Sequence, residues 1–534
     1  NKSSRILSSK QDTVISAAFV IGSIYLLSAL LGFIKIRTLS AIYGDSTELG
    51  VFFAADDIPT IIFSLVVSGS LSSAFIPVFN RYYKRDPDSA WDITSSVLNI
   101  SLSIFFVLSV LVIIGADFLA TNVIARNSNL SAYDLKLLAS LMRIMMLAQI
   151  LFIVSNFFTS ILQSFNRFVI PALAPVFYNI GIIFTLVLFS RPLGIYAPAI
   201  GMIVGAFLHM GIQMPAIKNT DFEYQFRANL RNRGVREIYK LMLPKSFGQI
   251  IEKLLIPLYT NLALFISGSS NVILTFAVDL QALPTRMFGV SIAQAALPIF
   301  SKSIEEDNMK DFKELLIKTI HQVAFFILPV SIVMFVLKVP LVRLAVGSRI
   351  YSWEATVMTA YTLGFYSLSL VIQGVILILG RAYYALHDTK TPVKISAFTV
   401  AINAALAIIF IKSIGLGVWS LAFAFAVASF LNCFLLFYFL YRKIGGIDIM
   451  KLLIPLNKIG ITSLFTAAAL YIPLQTMDKL LFDTTKTVWL IVLTGMVSLI
   501  GGFAYIFFSW LLKVEELGLV FASFQKLKSQ IRST

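Results

Sequence analysis

Gly380-Arg381-Ala382-Tyr383-Tyr384-Ala385-Leu386-His387-Asp388-Thr389-Lys390-Thr391-Pro392-Val393-Lys394-Ile395 decides how the rest of the chain reads. It is a short polar hinge between two long apolar runs, 354–379 and 396–411. The residues before the hinge continue a helix. Pro392 opens the next one, because a missing N–H costs nothing in a first helical turn. A basic connector between two apolar helices reads as a cytoplasmic loop of a membrane protein.

Composition agrees. Of 534 residues, 58% are hydrophobic and 13% charged, about half the charged share of a soluble domain. Apolar runs such as Leu102–Ile114 and Val488–Leu499 do not alternate at period two, so a membrane β-barrel is excluded. About twenty apolar residues cross a bilayer as a helix. By that measure about fourteen spans are expected, opening with 13–42, 49–80 and 92–120, with 237–267 seventh, and closing with 450–475 and 486–512. The fold class is an all-α polytopic membrane protein. The polar start, Asn1–Gln11, and the long apolar run after it do not read as a cleavable signal.

The net charge of +16 suggests nucleic acid only until its placement is read. Lys and Arg gather in alternate short loops, as the positive-inside rule requires, so no nucleic-acid partner is expected. With an even number of spans both termini are placed inside. The single cysteine, Cys433, excludes an intrachain disulfide.

The chain repeats itself. Pro298 follows Pro77 by 221 residues, and Pro392 follows Pro171 by 221. Ile58-Pro59-Thr60 and Leu283-Pro284-Thr285 are a looser pair, 225 apart. Six spans in each half make a parallel repeat, which places substrate between two lobes. The expected divisions are an N-terminal lobe at 1–217, a basic amphipathic linker at 218–240, a C-terminal lobe at 241–445, two further spans at 446–512 and a basic amphipathic tail at 513–534. The linker and the tail read as lying on the membrane surface.

No phosphate-cradling Gly-rich loop and no GxSxG elbow is present, and His209, His321 and His387 share no ligand spacing. The chain is therefore expected to bind and move a molecule and not to act as an enzyme. The informative residues are charges inside spans, each costing several kcal/mol unless paired or facing a wet cavity. They are Lys35 and Arg37, Asp56 and Asp57, Glu252 and Lys253, and Asp279 and Arg286. Asp279 and Arg286 are seven residues apart, two helical turns, and are expected on one face.

Here the residues resemble a family. Ser28–Phe33, Phe52-Phe53-Ala54-Ala55, Ile58-Pro59 and Ser73-Ala74-Phe75-Ile76-Pro77-Val78-Phe79 are similar to the opening of the MviN/MurJ flippases, and Gly289-Val290, Leu297-Pro298 and the hinge 381–395 are similar to their second half. The resemblance runs from about residue 13 to 445. It implies a flippase of the MOP exporter superfamily with two six-helix lobes plus two C-terminal helices. Its cargo would be lipid II, the undecaprenyl-diphosphate-linked peptidoglycan precursor, carried to the outer leaflet of the bacterial inner membrane through a cationic cavity. Cell-wall synthesis proteins are the implied protein partners, beside the lipid-linked oligosaccharide and membrane lipids.

The family's cavity arginines match only in part. The span-one arginine corresponds to Lys35, the span-two pair to Phe63 and Ser64, and the span-eight arginine falls at Asp279 with Arg286 displaced. The expected substrate residues are therefore Lys35, Lys253, Asp279, Arg286, Asp56 and Asp57, with Arg167, Arg381 and Lys390 at the cytoplasmic gate. The resemblance also implies a candidate sodium site at Asn403 and Glu252, although the usual acidic partner of the asparagine is Ala407 here. No organic cofactor is expected; sodium is the one candidate coupling ion. A cation-coupled exporter of small molecules, a flippase for another polyprenyl-linked glycan and a scaffold for envelope synthesis are the competing readings. Cavity charge separates them, since an exporter of cations needs carboxylates.

Overall fold

The computed structural model describes residues 14–67 and 70–518. Among them every regular element is a helix. In chain order the helices are α1 (Val14–Tyr43), α2 (Thr47–Ala55), α3 (Asp57–Val66), α4 (Ser70–Tyr83), α5 (Pro87–Ile114), α6 (Ala116–Leu119), α7 (Ala132–Ser164), α8 (Val169–Leu193), α9 (Tyr196–Gly211) and α10 (Met214–Lys218). Then come α11 (Arg233–Lys253), α12 (Leu255–Ile266), α13 (Gly268–Pro284), α14 (Ser291–Glu305), α15 (Met309–Val336), α16 (Lys338–Val346), α17 (Trp353–Ala385), α18 (Lys390–Ile408), α19 (Trp419–Lys443), α20 (Ile449–Leu480) and α21 (Thr487–Leu511). Wider π turns occur at Ala120–Ile124, Thr285–Val290 and Ile409–Ser413.

Among the described residues thirteen helical stretches are long and apolar enough to span a membrane. The expected seventh span is the exception. It is built from α11 and the twelve-residue α12, broken at Leu254. Pro257 follows that break, and a proline in a first turn leaves no N–H to bond the turn before it. The second span is broken in the same manner: α2 ends at Asp56 and α3 carries Pro59 three residues later.

The 221-residue repeat reappears in helix boundaries. Helix α7 ends at Ser164 and α17 at Ala385; α8 starts at Val169 and α18 at Lys390. Asn166 and His387 both take a left-handed backbone, at φ 57° and 56°. The turn bonds also match: Arg167 N–H donates to Leu162 O and Asp388 N–H to Tyr383 O, each 2.9 Å. This is the six-to-one closure of a helix C-terminus. Two unlike sequences therefore make one turn.

The described chain packs as two compact units, Asn1–Val272 with Ser348–Ser352, and Ile273–Gly347 with Trp353–Thr534. The sequence repeat restarts at α11, whereas the packing boundary falls at Val272. The reason is local. Asn261 Nδ2 donates to the carbonyls of Ile124 and Arg126 at 2.9 and 3.0 Å, and Asn271 Nδ2 donates to Gly50 O at 2.8 Å, tying α12 and the start of α13 to the first unit.

Within the first unit α8 and α9 meet on small residues. A Cβ at Gly181 would stand 2.5 Å from Gly205 Cα, and one at Gly205 would stand 2.6 Å from Tyr178 O. Close backbone approach on glycines is how membrane helices pack where no water drives them together.

In the second unit the last two spans are held by a buried polar clamp. His321 Nε2 lies 3.0 Å from Leu452 O, and its Nδ1 lies 3.5 Å from the Glu516 carboxylate. Val514 and Leu517 pack beside it on Phe325, Ile459 and Tyr505. The beginning of the expected surface tail is thus buried in the bundle, because Val514 and Leu517 find an apolar pocket there. Residues 519–534, and the basic residues Lys2, Arg5 and Lys10, lie outside the described residues.

Candidate functional site

The first unit gathers four of the expected residues around the break between α2 and α3. Asp56 is the hinge residue, at φ −81° and ψ −14°. Thr60, four residues on, donates its hydroxyl to Asp56 Oδ2 at 3.1 Å. Asp57 begins α3 and is 8% exposed. The Thr260 hydroxyl from α12 hydrogen-bonds it. Asp56 Oδ1 and Asp57 Oδ2 are buried without a hydrogen-bond partner.

Two cations act on Asp56. Lys35, half-buried in α1, and Lys253, the last residue of α11, both place their charge in the field of the Asp56 carboxylate. Lys253 also donates its ammonium to Ser64 Oγ, which in turn donates to Thr60 O at 2.7 Å. Ser64 stands where the family resemblance places an arginine. A serine there is too short to present a charge, and α11 brings one to it from 189 residues away. The Lys ammonium is a strongly hydrated point charge, without the planar fork that binds an anion through two bonds.

Aromatic side chains continue from this cluster. Phe63 meets Phe152 edge-on at 6.2 Å, and Phe152 packs on Tyr178 at 5.0 Å and on the His209 ring at 5.3 Å. His209 Nδ1 is 2.6 Å from Ser155 Oγ, and Gln213 bonds the same hydroxyl at 2.7 Å. His209 is therefore a hydrogen-bonded structural residue of the interior.

The remaining expected residues lie elsewhere. Arg167 donates to Ala216 O at 3.1 Å and to Asn219 O at 3.4 Å, capping the C-terminal end of α10. Cations there meet orphan carbonyls and the negative end of the helix dipole. Asp279 in α13 and Arg286 in the following π turn belong to the second unit and are both exposed. The helix changes from α to π between them, so two regular turns no longer separate them.

Arg381 is half-buried near the end of α17, and Lys390 is the exposed first residue of α18. Between them, Asp388 carries the turn. It accepts from Thr391 N–H at 3.0 Å, from the Thr391 hydroxyl at 2.7 Å and from the Lys443 ammonium at 2.5 Å. Its partial burial raises the pKa, but the bonds from Lys443 and Thr391 outweigh that and hold it down at about 2.

Asn403 is buried in α18 at 2% exposure, and Ala407, one turn on, is fully buried. Hard cations take oxygen ligands. On this helix face Asn403 offers one amide oxygen and Ala407 none. The Glu252 side chain lies outside the described residues. Among the described residues no group of three or more His, Cys, Asp or Glu gathers into a metal site.

Thr60, Thr260 and Tyr178 belong to the site without having been read from the sequence. Thr60 had a usable signal, its spacing of four from Asp56. Thr260 and Tyr178 reach it only through tertiary packing.

The family described as "Lipid II flippase MurJ" matches residues 39–493 of this chain. The chain belongs to the MurJ family. A relative in Borreliella burgdorferi, named probable lipid II flippase MurJ, is 26% identical over 488 residues, covering 91% of this chain and 94% of its own. The lipid II flippase MurJ of Burkholderia cenocepacia is 26% identical over 437 residues, 80% of this chain and 84% of its own. Among solved structures, a lipid II flippase MurJ in an inward closed conformation overlays with a TM-score of 0.76 at 24% identity, covering 92% of this chain and 98% of that one. An inward-facing multidrug resistance MATE transporter of the MOP superfamily overlays at 0.66 with 15% identity, covering 80% and 98%. The fold is thus that of MurJ, and the Lys253 contact at Ser64 is a feature of this chain laid on that fold.

Proposed function

We propose that this chain carries lipid II from the inner to the outer leaflet of the bacterial cytoplasmic membrane, with both termini in the cytoplasm. The match of the MurJ family over residues 39–493 carries this reading. The chemistry of the first unit supports it. A diphosphate needs cations at a depth where water is scarce, and Lys35 and Lys253 stand together there against Asp56. In the resting state the carboxylate and the Ser64 hydroxyl compensate the ammonium groups, so the buried charges are not left bare.

An arriving diphosphate offers stronger acceptors than Ser64. Charge-assisted hydrogen bonds are about twice as strong as neutral ones. Lys253 would leave Ser64 for a phosphate oxygen, and Lys35 would take another. Asp57 keeps the net positive charge modest, so that the headgroup leaves again. The polyprenyl tail stays in lipid throughout. Alternating access, the rocking of two halves about one site, is the motion this reading requires. Arg381 and Lys390 would meet the anionic headgroup before entry. Enzymes of cell-wall synthesis, which consume the exported precursor, are the protein partners it anticipates.

Rescue of a MurJ-depleted bacterium tests the reading. Expression of this chain should restore growth, and Lys35→Ala should lose the rescue while still inserting in the membrane. Failure of the inserted wild-type chain to rescue would count against lipid II as cargo.

A further inference from the structure

The connector between α10 and α11 is not a loose loop. Residues 222–229 are non-helical backbone laid along α5, with a tight turn at Phe226 where Arg227 N–H donates to Gln225 O at 2.8 Å. Its contacts climb that helix and return. The Phe222 ring packs on Trp91 at 5.3 Å, and Gln225 N–H donates to Ser95 Oγ at 3.1 Å. At the top, Asn99 Nδ2 donates to Gln225 O at 3.0 Å and to Arg227 O at 2.8 Å, while the Tyr224 hydroxyl donates to Asn99 Oδ1 at 2.6 Å. On the way back Asn229 N–H meets Ser96 Oγ at 3.3 Å and Asn232 meets Asp92 at 3.5 Å. Gly234 closes the path: a Cβ there would stand 3.1 Å from Ile93 Cγ1 and 3.3 Å from the Tyr82 ring.

The tip of this finger is Phe226, between the two carbonyls that Asn99 holds. Its side chain is 91% exposed, more than any other large hydrophobic among the described residues. The depth of the tip follows from α5. Asp92 is the last charged residue before the uncharged stretch that runs to Ile114. Asn99 stands seven residues further, about 10 Å at 1.5 Å per residue. The tip is therefore level with the uncharged part of a membrane span.

The bonding explains how non-helical backbone can stand at that depth. Away from water every backbone polar group needs a protein partner, and non-helical backbone survives only where it has one. Ser95, Ser96 and Asn99, all buried in a span, supply those partners. A connector in bulk water would need none of them. The charges fit the same placement. Arg231 on the return limb and Arg233 and Arg236 in the first turn of α11 are exposed, Arg227 beside the tip reaches back to Asp92 at 3.7 Å, and the acids Asp221 and Glu223 are exposed on the outward limb.

We propose that residues 222–231 form a membrane-inserted finger, with Phe226 in the acyl boundary of the adjoining leaflet and Arg231, Arg233 and Arg236 on anionic phospholipid headgroups. Interfacial segments of this kind bury apolar side chains about 5–10 Å into the headgroup–acyl boundary. The proposal stands independently of the cargo.

Site-directed spin labelling tests it in the full chain. Cys433→Ala removes the native thiol, and Phe226→Cys or Glu223→Cys carries the nitroxide. The protein is reconstituted in phosphatidylethanolamine/phosphatidylglycerol vesicles and, separately, in phosphatidylcholine vesicles. At 226 the label should be open to oxygen and shielded from a water-soluble nickel chelate, while at 223 it should be open to the chelate. Replacing the three arginines with Gln, or the anionic lipid with phosphatidylcholine, should return chelate access to 226. Equal chelate access at 226 and 223 in the anionic vesicles would overturn the insertion and leave the finger as a surface for a soluble protein. Shielding at 226 that ignores both the arginines and the lipid charge would overturn the headgroup contact.

Discussion

Lys253→Ala is the perturbation that separates this chain's site from a generic one. Lys253 is half-buried and donates to Ser64, at the position where the family resemblance calls for an arginine. Loss of one charge-assisted hydrogen bond to a phosphate oxygen costs about 1.5–3 kcal/mol, which is roughly 10–150-fold in lipid II transport efficiency. The variant also leaves Asp56 with one fewer compensating cation, which acts on stability as well as on transport. Two controls resolve this. Asp56→Asn in the Lys253→Ala background removes the bare charge and should restore stability without restoring transport. Ser64→Arg in the same background returns a cation to the same place from α3 and should restore transport. Reconstituted vesicles with labelled lipid II read the transport, and thermal unfolding in detergent reads the stability. Normal transport by Lys253→Ala would refute the reasoning, as would a folded Ser64→Arg rescue variant that stays inactive.

Three further outcomes follow from the geometry. Asp388, held at about 2 against an ordinary carboxylate value near 4, stabilises its turn above the ordinary value and loses that contribution as pH falls from about 4 to about 2. Because Lys443 is 40% exposed, the contribution is about 1 kcal/mol, and hydrogen-exchange protection at 385–394, taken relative to the intrinsic rate at each pH, should fall over that window in the wild type and be low throughout in Asp388→Ala. Gly205→Val drives a branched side chain into Tyr178 O and should cost about 1–3 kcal/mol as overpacking, read as a lower thermal midpoint; an unchanged midpoint would mean that α8 and α9 can separate freely. In a Cys433→Ala background, cysteines at Lys84 and Lys390 should both react with an impermeant reagent only after the inner face is opened; labelling of either in intact cells would reverse the assigned orientation.

Much of this architecture was legible in the residues. Length and apolar content gave the spans, since lipid leaves the backbone few options, and helix ends fall close to the expected ones. The repeat was visible because prolines and turn residues hold fixed places at helix starts; Asn166 and His387 share a backbone conformation that their differing side chains hide. The breaks at Asp56 and Leu254 were less visible, because each depends on a proline three residues downstream acting on a carbonyl within an otherwise apolar run. Contacts between distant helices could not be read. Lys253 and Ser64 are separated by 189 residues, and no periodicity joins them. Likewise Ser95, Ser96 and Asn99 look like polar residues misplaced in a span until the non-helical backbone of 222–229 is seen to need them.

The most direct test of the central claim is a leaflet assay with the purified chain. Lipid II is placed in vesicles with and without the protein, and the fraction reachable from the opposite face is measured with an impermeant probe of the headgroup. The account predicts protein-dependent exchange of lipid II between leaflets, lost in Lys35→Ala and Lys253→Ala and regained when Ser64→Arg accompanies the latter. Lipid II that stays in its leaflet beside folded wild-type protein, or protein-dependent movement of an organic cation in its place, would contradict it.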